Sequence, residues 1–212
     1  MSPIDVASLD RFTREEGEDI RHLIGMRCWC VGPNGHPDPR CTEHELGGWI
    51  YREERTIRGL VTSIDQKSEL VQMGLYLPGD AVFSPTSDAE VSEHDKIIFP
   101  WALPYGSGDP LVRGSGVSER LTYEAVRVLY CGDEDKVKYR QDTDFRFVGK
   151  TIEWDWAGKP EDGIAPAEGV RYVVKYRAYL EWIALYPPVE RISAGVDLGS
   201  KVMLRKKHLV EP

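Results

Sequence analysis

T-I-E-W-D-W, Thr151 to Trp156, sets the character of this 212-residue chain. Ile152, Trp154 and Trp156 alternate with Glu153 and Asp155. That two-residue period belongs to a strand with one face in a core and the other in water. The same chemistry recurs outward from it. Upstream, Tyr123 to Cys131 (Y-E-A-V-R-V-L-Y-C) alternates, and Val137–Tyr139 and Phe145–Gly149 are short runs of strand formers. Downstream, Tyr172 to Ile183 is the longest strand candidate, extendable through Tyr186 and ended by Pro187-Pro188. Many short strands punctuated by Gly and Pro predict a mainly β fold, an antiparallel barrel or sandwich.

Further strands are expected at Thr56–Ile64, Gln66–Leu77, Ala81–Ser84, Lys96–Phe99, Val189–Ile192 and Lys201–Leu209. Two Gly/Pro-rich stretches, about 102–116 and 157–169, read as long loops. The N-terminus differs. Ser2-Pro3 marks a helix start, and Leu9, Phe12, Ile20, Leu23 and Ile24 follow at helical spacing. Glu16-Gly17 interrupts that stripe, and Thr13–Glu16 matches a capping box, so two short helices are expected, their stripe facing a core.

Between this helical segment and the first strands lies Arg27 to Tyr51, R-C-W-C-V-G-P-N-G-H-P-D-P-R-C-T-E-H-E-L-G-G-W-I-Y. Cys28-x-Cys30 and Cys41-x-x-His44 face each other across a Gly/Pro run that suits neither helix nor ladder strand. Soft thiolates with one imidazole suit a tetrahedral structural metal. Cys28, Cys30, Cys41 and His44 are therefore the predicted ligands, with zinc the expected ion and iron a second candidate. The competing reading is a Cys28–Cys41 or Cys30–Cys41 disulfide, which needs an oxidising compartment. His36 is a possible substitute for His44 but reads as a solvated loop residue. Cys131 reads as a small apolar strand-end residue. The expected division is residues 1–51, helix plus knuckle, and residues 52–212, the β-rich domain.

At 41% hydrophobic and 29% charged residues the composition is that of a folded globular chain, not a disordered one. The net charge of -8 argues against a basic nucleic-acid binder. No apolar run reaches membrane-span length, and M-S-P-I-D-V is not a signal peptide, so synthesis in a cytosol is expected. Six Trp and ten Tyr against five Phe favour aromatics with polar handles, the kind found at interfaces as well as in cores. The Gly-rich pieces match no phosphate loop. Tyr105–Asp109, Y-G-S-G-D, is no nucleophile elbow. Glu153 and Asp155 have the makings of a glycosidase pair, but a solvated strand face is the stronger reading. His22, His94 and His208 read as isolated surface residues. The basic tail Leu204–Leu209 reads as a solvated strand, with an acidic partner or a nucleic-acid backbone as the alternative. No catalytic residue is assigned; a metal hydrolase with an open ligand position near Cys30 and His44 is the minority reading, and a metal-stabilised cytosolic binding module the other alternative.

The knuckle resembles one in virion proteins of tailed bacteriophages. The matching residues are Cys28-Trp29-Cys30, Pro37-Asp38-Pro39, Cys41-Thr42-Glu43-His44 and Gly47-Gly48-Trp49-Ile50-Tyr51, with His44 where that pattern has cysteine. P-G-D-A-V-F-S and S-E-H-D-K-I-I-F downstream are similar to pieces of phage head-to-tail joining proteins. The resemblance covers about the first half of the chain. It implies a neck component, a head-closure or connector protein made in the host cytoplasm and placed in the virion neck. Such a protein forms a homo-oligomeric ring around the DNA channel, binds the portal or adaptor on one side and a tail-tube or tail-terminator protein on the other, and catalyses nothing. DNA would pass through without sequence-specific binding.

Overall fold

The computed structural model describes residues 6–41, 43–63, 80–100, 105–114, 118–185, 189–193 and 196–210. The protein is mainly β, and it divides into two compact units. The first is Met1–Pro100 with Glu181–Pro212; the second is Trp101–Leu180.

The first unit opens with helix α1 (Val6–Glu16) and strand β1 (Glu18–Arg27). The second expected helix is thus a strand. β1 pairs with β2 (Trp49–Ser63) on one side and β4 (Lys96–Ile98) on the other, and this two-sided pairing overrides the local spacing. A bulge between His22 and Ile24 shifts the register, which is why apolar residues at 20, 23 and 24 imitate a helical period. The α1 stripe does not face a core either: Phe12 is 52% exposed, and Thr13 is the buried residue of the helix. The last helical hydrogen bond runs from the Gly17 amide to the Thr13 carbonyl, and the exit into β1 requires glycine there, since a Cβ would stand 2.2 Å from that oxygen. His22, expected at the surface, is fully buried on β1.

β3 (Ala81–Pro85), β11 (Glu181–Ala184), β12 (Val189–Ser193) and β13 (Val196–Lys206) complete this sheet, followed by the short helix α2 (Lys207–Val210). The order is β11-β4-β1-β2-β3-β13-β12, and β11 also pairs with β13. Six antiparallel strands therefore close on one another in a ring, around Ile20, Phe83, Ile97, Val202 and Leu204. The boundary expected after Tyr51 falls inside β2, whose pairing with β1 and β3 keeps both sides of it in one unit. The strand expected at Gln66–Leu77 lies outside the described residues.

The second unit is inserted between two strands that are themselves neighbours. β4 leads into it, β11 leads out, and Ile98 is paired with Glu181. The single strand expected from Tyr172 to Ile183 accordingly breaks: β10 (Arg171–Ala178) belongs to the insertion and β11 to the ring. β10 lies between β5 (Tyr105–Val112) and β7 (Ala125–Asp133). β5 corrects the loop expected at 102–116. As an edge strand it accepts Pro110 without losing a ladder bond, and β10 pairs it along its whole length. A second sheet, β6 (Ser118–Arg120), β9 (Thr151–Glu153) and β8 (Arg146–Val148), carries the stretch that opened the reading. Ile152 and Trp154 are fully buried, as their alternation requires. Residues 157–169 form the expected loop, whereas Lys138 makes an isolated bridge to Gly132 and no strand. Cys131 is buried in the shared core.

Candidate metal centre

Residues 28–48 form one long connection across the mouth of the β1–β2 hairpin. The last register pair is Arg27 with Trp49, and the Cys28 amide donates to the Gly48 carbonyl at 2.8 Å. Gly47 and Gly48 both have φ near +80°, and two such left-handed steps turn the chain back into β2. Inside the connection, Val31 donates to the Cys28 carbonyl at 3.0 Å and Cys41 to the Asp38 carbonyl at 3.0 Å. The Asp38 carboxylate accepts the Arg40 amide at 2.9 Å. These tight turns bring the two cysteine-bearing ends together.

The Sγ atoms of Cys28, Cys30 and Cys41 lie within 4.8 Å of one another. Cys28 is buried and the other two are partly exposed. Cys28 Sγ and Cys41 Sγ are 3.8 Å apart, and all four cysteines of the chain are free, so no disulfide is formed. Two sulfurs each about 2.3 Å from a tetrahedral zinc stand about 3.8 Å apart, so the thiol spacing fits such an ion. Cys41 is held below the usual thiol range, chiefly by a backbone hydrogen bond at Glu43, with Cys30, Cys28 and the His44 backbone adding to it. Cys30 is pushed up to about 11 by desolvation and by the neighbouring Cys28. Three thiols this close ionise together only when a cation takes up the charge, which is the chemistry of a soft metal site.

Of the four predicted ligands, the three cysteines converge and His44 stands apart. Its Nδ1 faces the Glu45 carbonyl at 2.7 Å and its Nε2 the Asp38 carbonyl at 3.2 Å. His36 is exposed, as expected. His94 stacks on Trp49 with ring centroids 4.1 Å apart.

The next residue, Glu45, ties the knuckle to the ring of strands. Its carboxylate pairs with Lys96 of β4 at 2.7 Å and with Lys207 at the start of α2. Lys96 and Lys207 also reach Glu181 of β11, at 3.3 and 3.2 Å. Lys96, Glu181 and Lys207 are all at most 5% exposed, and the Lys96 ammonium also lies 3.8 Å from the Tyr51 ring centroid. Sequence reading missed this quartet. Its members lie 26 to 162 positions apart, and a buried lysine carries no local mark. The basic tail is explained here too: Lys207 belongs to the quartet, and Arg205 grips the buried Asp80 with two hydrogen bonds of 3.0 and 2.8 Å. His22 likewise has a partner within the fold: its Nε2–H donates to the Asp95 carboxylate at 2.8 Å, and the same carboxylate accepts the Gly25 and Ser92 amides.

Glu153 and Asp155 are engaged in ordinary ion pairs, as a solvated strand face implies. Glu153 binds Arg146 at 2.7 Å, and Asp155, 63% exposed, lies 3.5 Å from Arg113 and 3.7 Å from Lys159. Compared with known protein families and with curated proteins, the chain matches none. No helix among the described residues is long and apolar enough to cross a membrane.

Proposed function

We propose that this chain is a structural building block of a tailed-phage neck, a subunit that assembles with copies of itself and joins portal or adaptor to tail. In this reading a structural zinc on Cys28, Cys30 and Cys41 holds the knuckle. The observation that carries it is the placement of the thiol cluster. It seals the tip of the β1–β2 hairpin and is joined through Glu45 to the strands from which the second unit is inserted. A metal set in that position braces a fold; a thiolate-rich donor set is that of a structural site, not a catalytic one. His44, whose ring nitrogens face the Glu45 and Asp38 carbonyls, would be the fourth residue to hold the ion in this reading. The resemblance of the knuckle to phage virion proteins supports the neck assignment.

Metal analysis combined with light-scattering mass tests both halves. One tightly held zinc per chain and a particle of many subunits is the expected result. A monomer with exchangeable metal and hydrolytic activity would replace this reading with an enzyme, and an inert zinc-bound monomer would replace it with a binding module. Cys41→Ser is expected to release the metal and lower the melting temperature; unchanged metal content would remove Cys41 from the site.

A further inference from the structure

The outward face of the β5-β10-β7 sheet sets two arginines directly opposite each other. Along β10, Tyr172, Val174, Tyr176 and Ala178 point inward and are buried, so Val173, Lys175 and Arg177 point outward. Arg177 is paired directly with Arg127 of β7, and Lys175 with Tyr130. Like charges opposite each other on one sheet face destabilise the pairing. Several other cations of this unit have carboxylates, Arg113 with Asp155, Arg140 with Asp144 and Arg146 with Glu153, while Lys136, Lys138 and Arg171 stand singly and away from the Arg127–Arg177 pair. Among the described residues, Arg127, Lys175 and Arg177 have none. On the β5 side, Lys175 and Arg177 lie opposite Gly108 and Gly106, where an added Cβ would meet nothing within 4 Å. At these two positions the edge strand leaves open space beside the cations. Val173 and Tyr130, 44% and 40% exposed, supply apolar surface.

The complementary surface is on the first unit. Of the 27 Lys and Arg and 35 Asp and Glu of the chain, 12 and 13 fall within residues 101–180, so nearly all of the acid excess belongs to the first unit. Glu15, Glu16 and Glu18 sit together and exposed where α1 passes into β1, and none is paired with a described cation. Carboxylates in the last turn of a helix oppose its dipole, so this placement too costs local stability. Phe12, 52% exposed, lies one turn away on the same helix. Each patch carries a local electrostatic cost that the other would relieve.

We infer that the cationic face of the second unit, Arg127, Lys175 and Arg177, docks on the Phe12–Glu15–Glu16–Glu18 patch of the first unit of another copy of this chain. The contact is heterologous, one patch against a different one, so it repeats from copy to copy and makes a ring if the rotation closes. It rests on the reading of the chain as a self-assembling subunit and is independent of the metal.

The test is a charge swap on the full chain, read by light-scattering mass. Wild type is expected to assemble at low salt and to dissociate as salt is raised toward about 1 M, where the screening length is about 3 Å. Arg127→Glu with Arg177→Glu, and separately Glu15→Lys with Glu16→Lys, are each expected to weaken assembly at least about 100-fold. At a dilution where wild type is itself dissociated, neither variant is expected to melt below wild type. Mixed one to one, the two variants are expected to assemble again, because every contact in the mixture then joins opposite charges. A mixture that stays monomeric, or single variants that assemble like wild type, overturns this interface while leaving self-assembly intact. Wild type that is monomeric at every concentration overturns the interface and the building-block reading together.

Discussion

In the first unit Thr13, His22, Asp80, Thr86, Asp95, Lys96, Glu181 and Lys207 are buried; in the second, among the described residues, Asp144 is the one buried polar side chain of this kind. The second unit instead fills its interior with rings. Trp154 meets Tyr139, Phe145 and Tyr172 at centroid distances of 5.2 to 5.3 Å, and its interior also holds Tyr123 and Tyr176. Two β units of one chain thus solve burial differently. Rings pack wherever volume and shape agree. Buried ions require every partner in place, because one left alone pays desolvation with no return. The first unit should therefore fail all at once when its knuckle is disturbed, and the second should not notice.

Metal removal tests that contrast with the largest effect. Chelation is expected to loosen residues 28–48, withdraw Glu45 from Lys96 and Lys207, and lower the melting temperature by roughly 10 °C or more. Amide exchange would speed up in β1, β2 and β4 and stay slow in β7 and β10. Equal loss of protection in both units would erase the distinction. Next in size is Trp154→Ala, expected to cost about 3–5 kcal/mol through the cavity it leaves. Here the pattern inverts: β7 and β10 lose protection while metal binding at the proposed cysteine site is unchanged. Glu45→Gln follows, at about 2 kcal/mol, since two buried lysines would then share one carboxylate but water reaches the partly exposed Glu45 position. If that variant matched wild type in urea titration, the quartet would not be what joins knuckle to sheet.

Legibility from sequence follows the same division. The aromatic unit was readable, because alternation at Ile152 and Trp154 is a local signal that burial obeys, although β9 ends at Glu153 and Trp156 beyond it is only half-buried. The cysteine cluster was readable for the same reason, its thiols being local in sequence and its turns rich in Gly and Pro. β1 was misread because a bulge broke its period, and β5 because Gly106, Gly108 and Pro110 are loop formers that an edge position tolerates. Glu45, Lys96, Glu181 and Lys207 were invisible, since only tertiary pairing makes a lysine a core residue. The inserted unit was hidden for a related reason: nothing in Lys96–Ile98 or Glu181–Ala184 announces that the two strands pair across the insertion between them.

The smallest effect separates ion pairs that look alike on paper. Arg205–Asp80 and Arg14–Asp88 are both arginine–carboxylate contacts. In the first, the Asp80 side chain is fully buried and the Arg205 side chain is 18% exposed; in the second the side chains are 58% and 69% exposed. The Asp88 carboxyl is held below its usual range chiefly by the Thr86 side chain, and Arg14 contributes least among the causes. Water and salt screen the Arg14 contact, and both side chains give up rotamer freedom to make it. Arg14→Ala is therefore expected to change stability by less than about 0.5 kcal/mol. A melting curve displaced by several degrees would mean that α1 is held to the ring of strands by charge, and the first unit would then depend on ions at its surface as well as in its core.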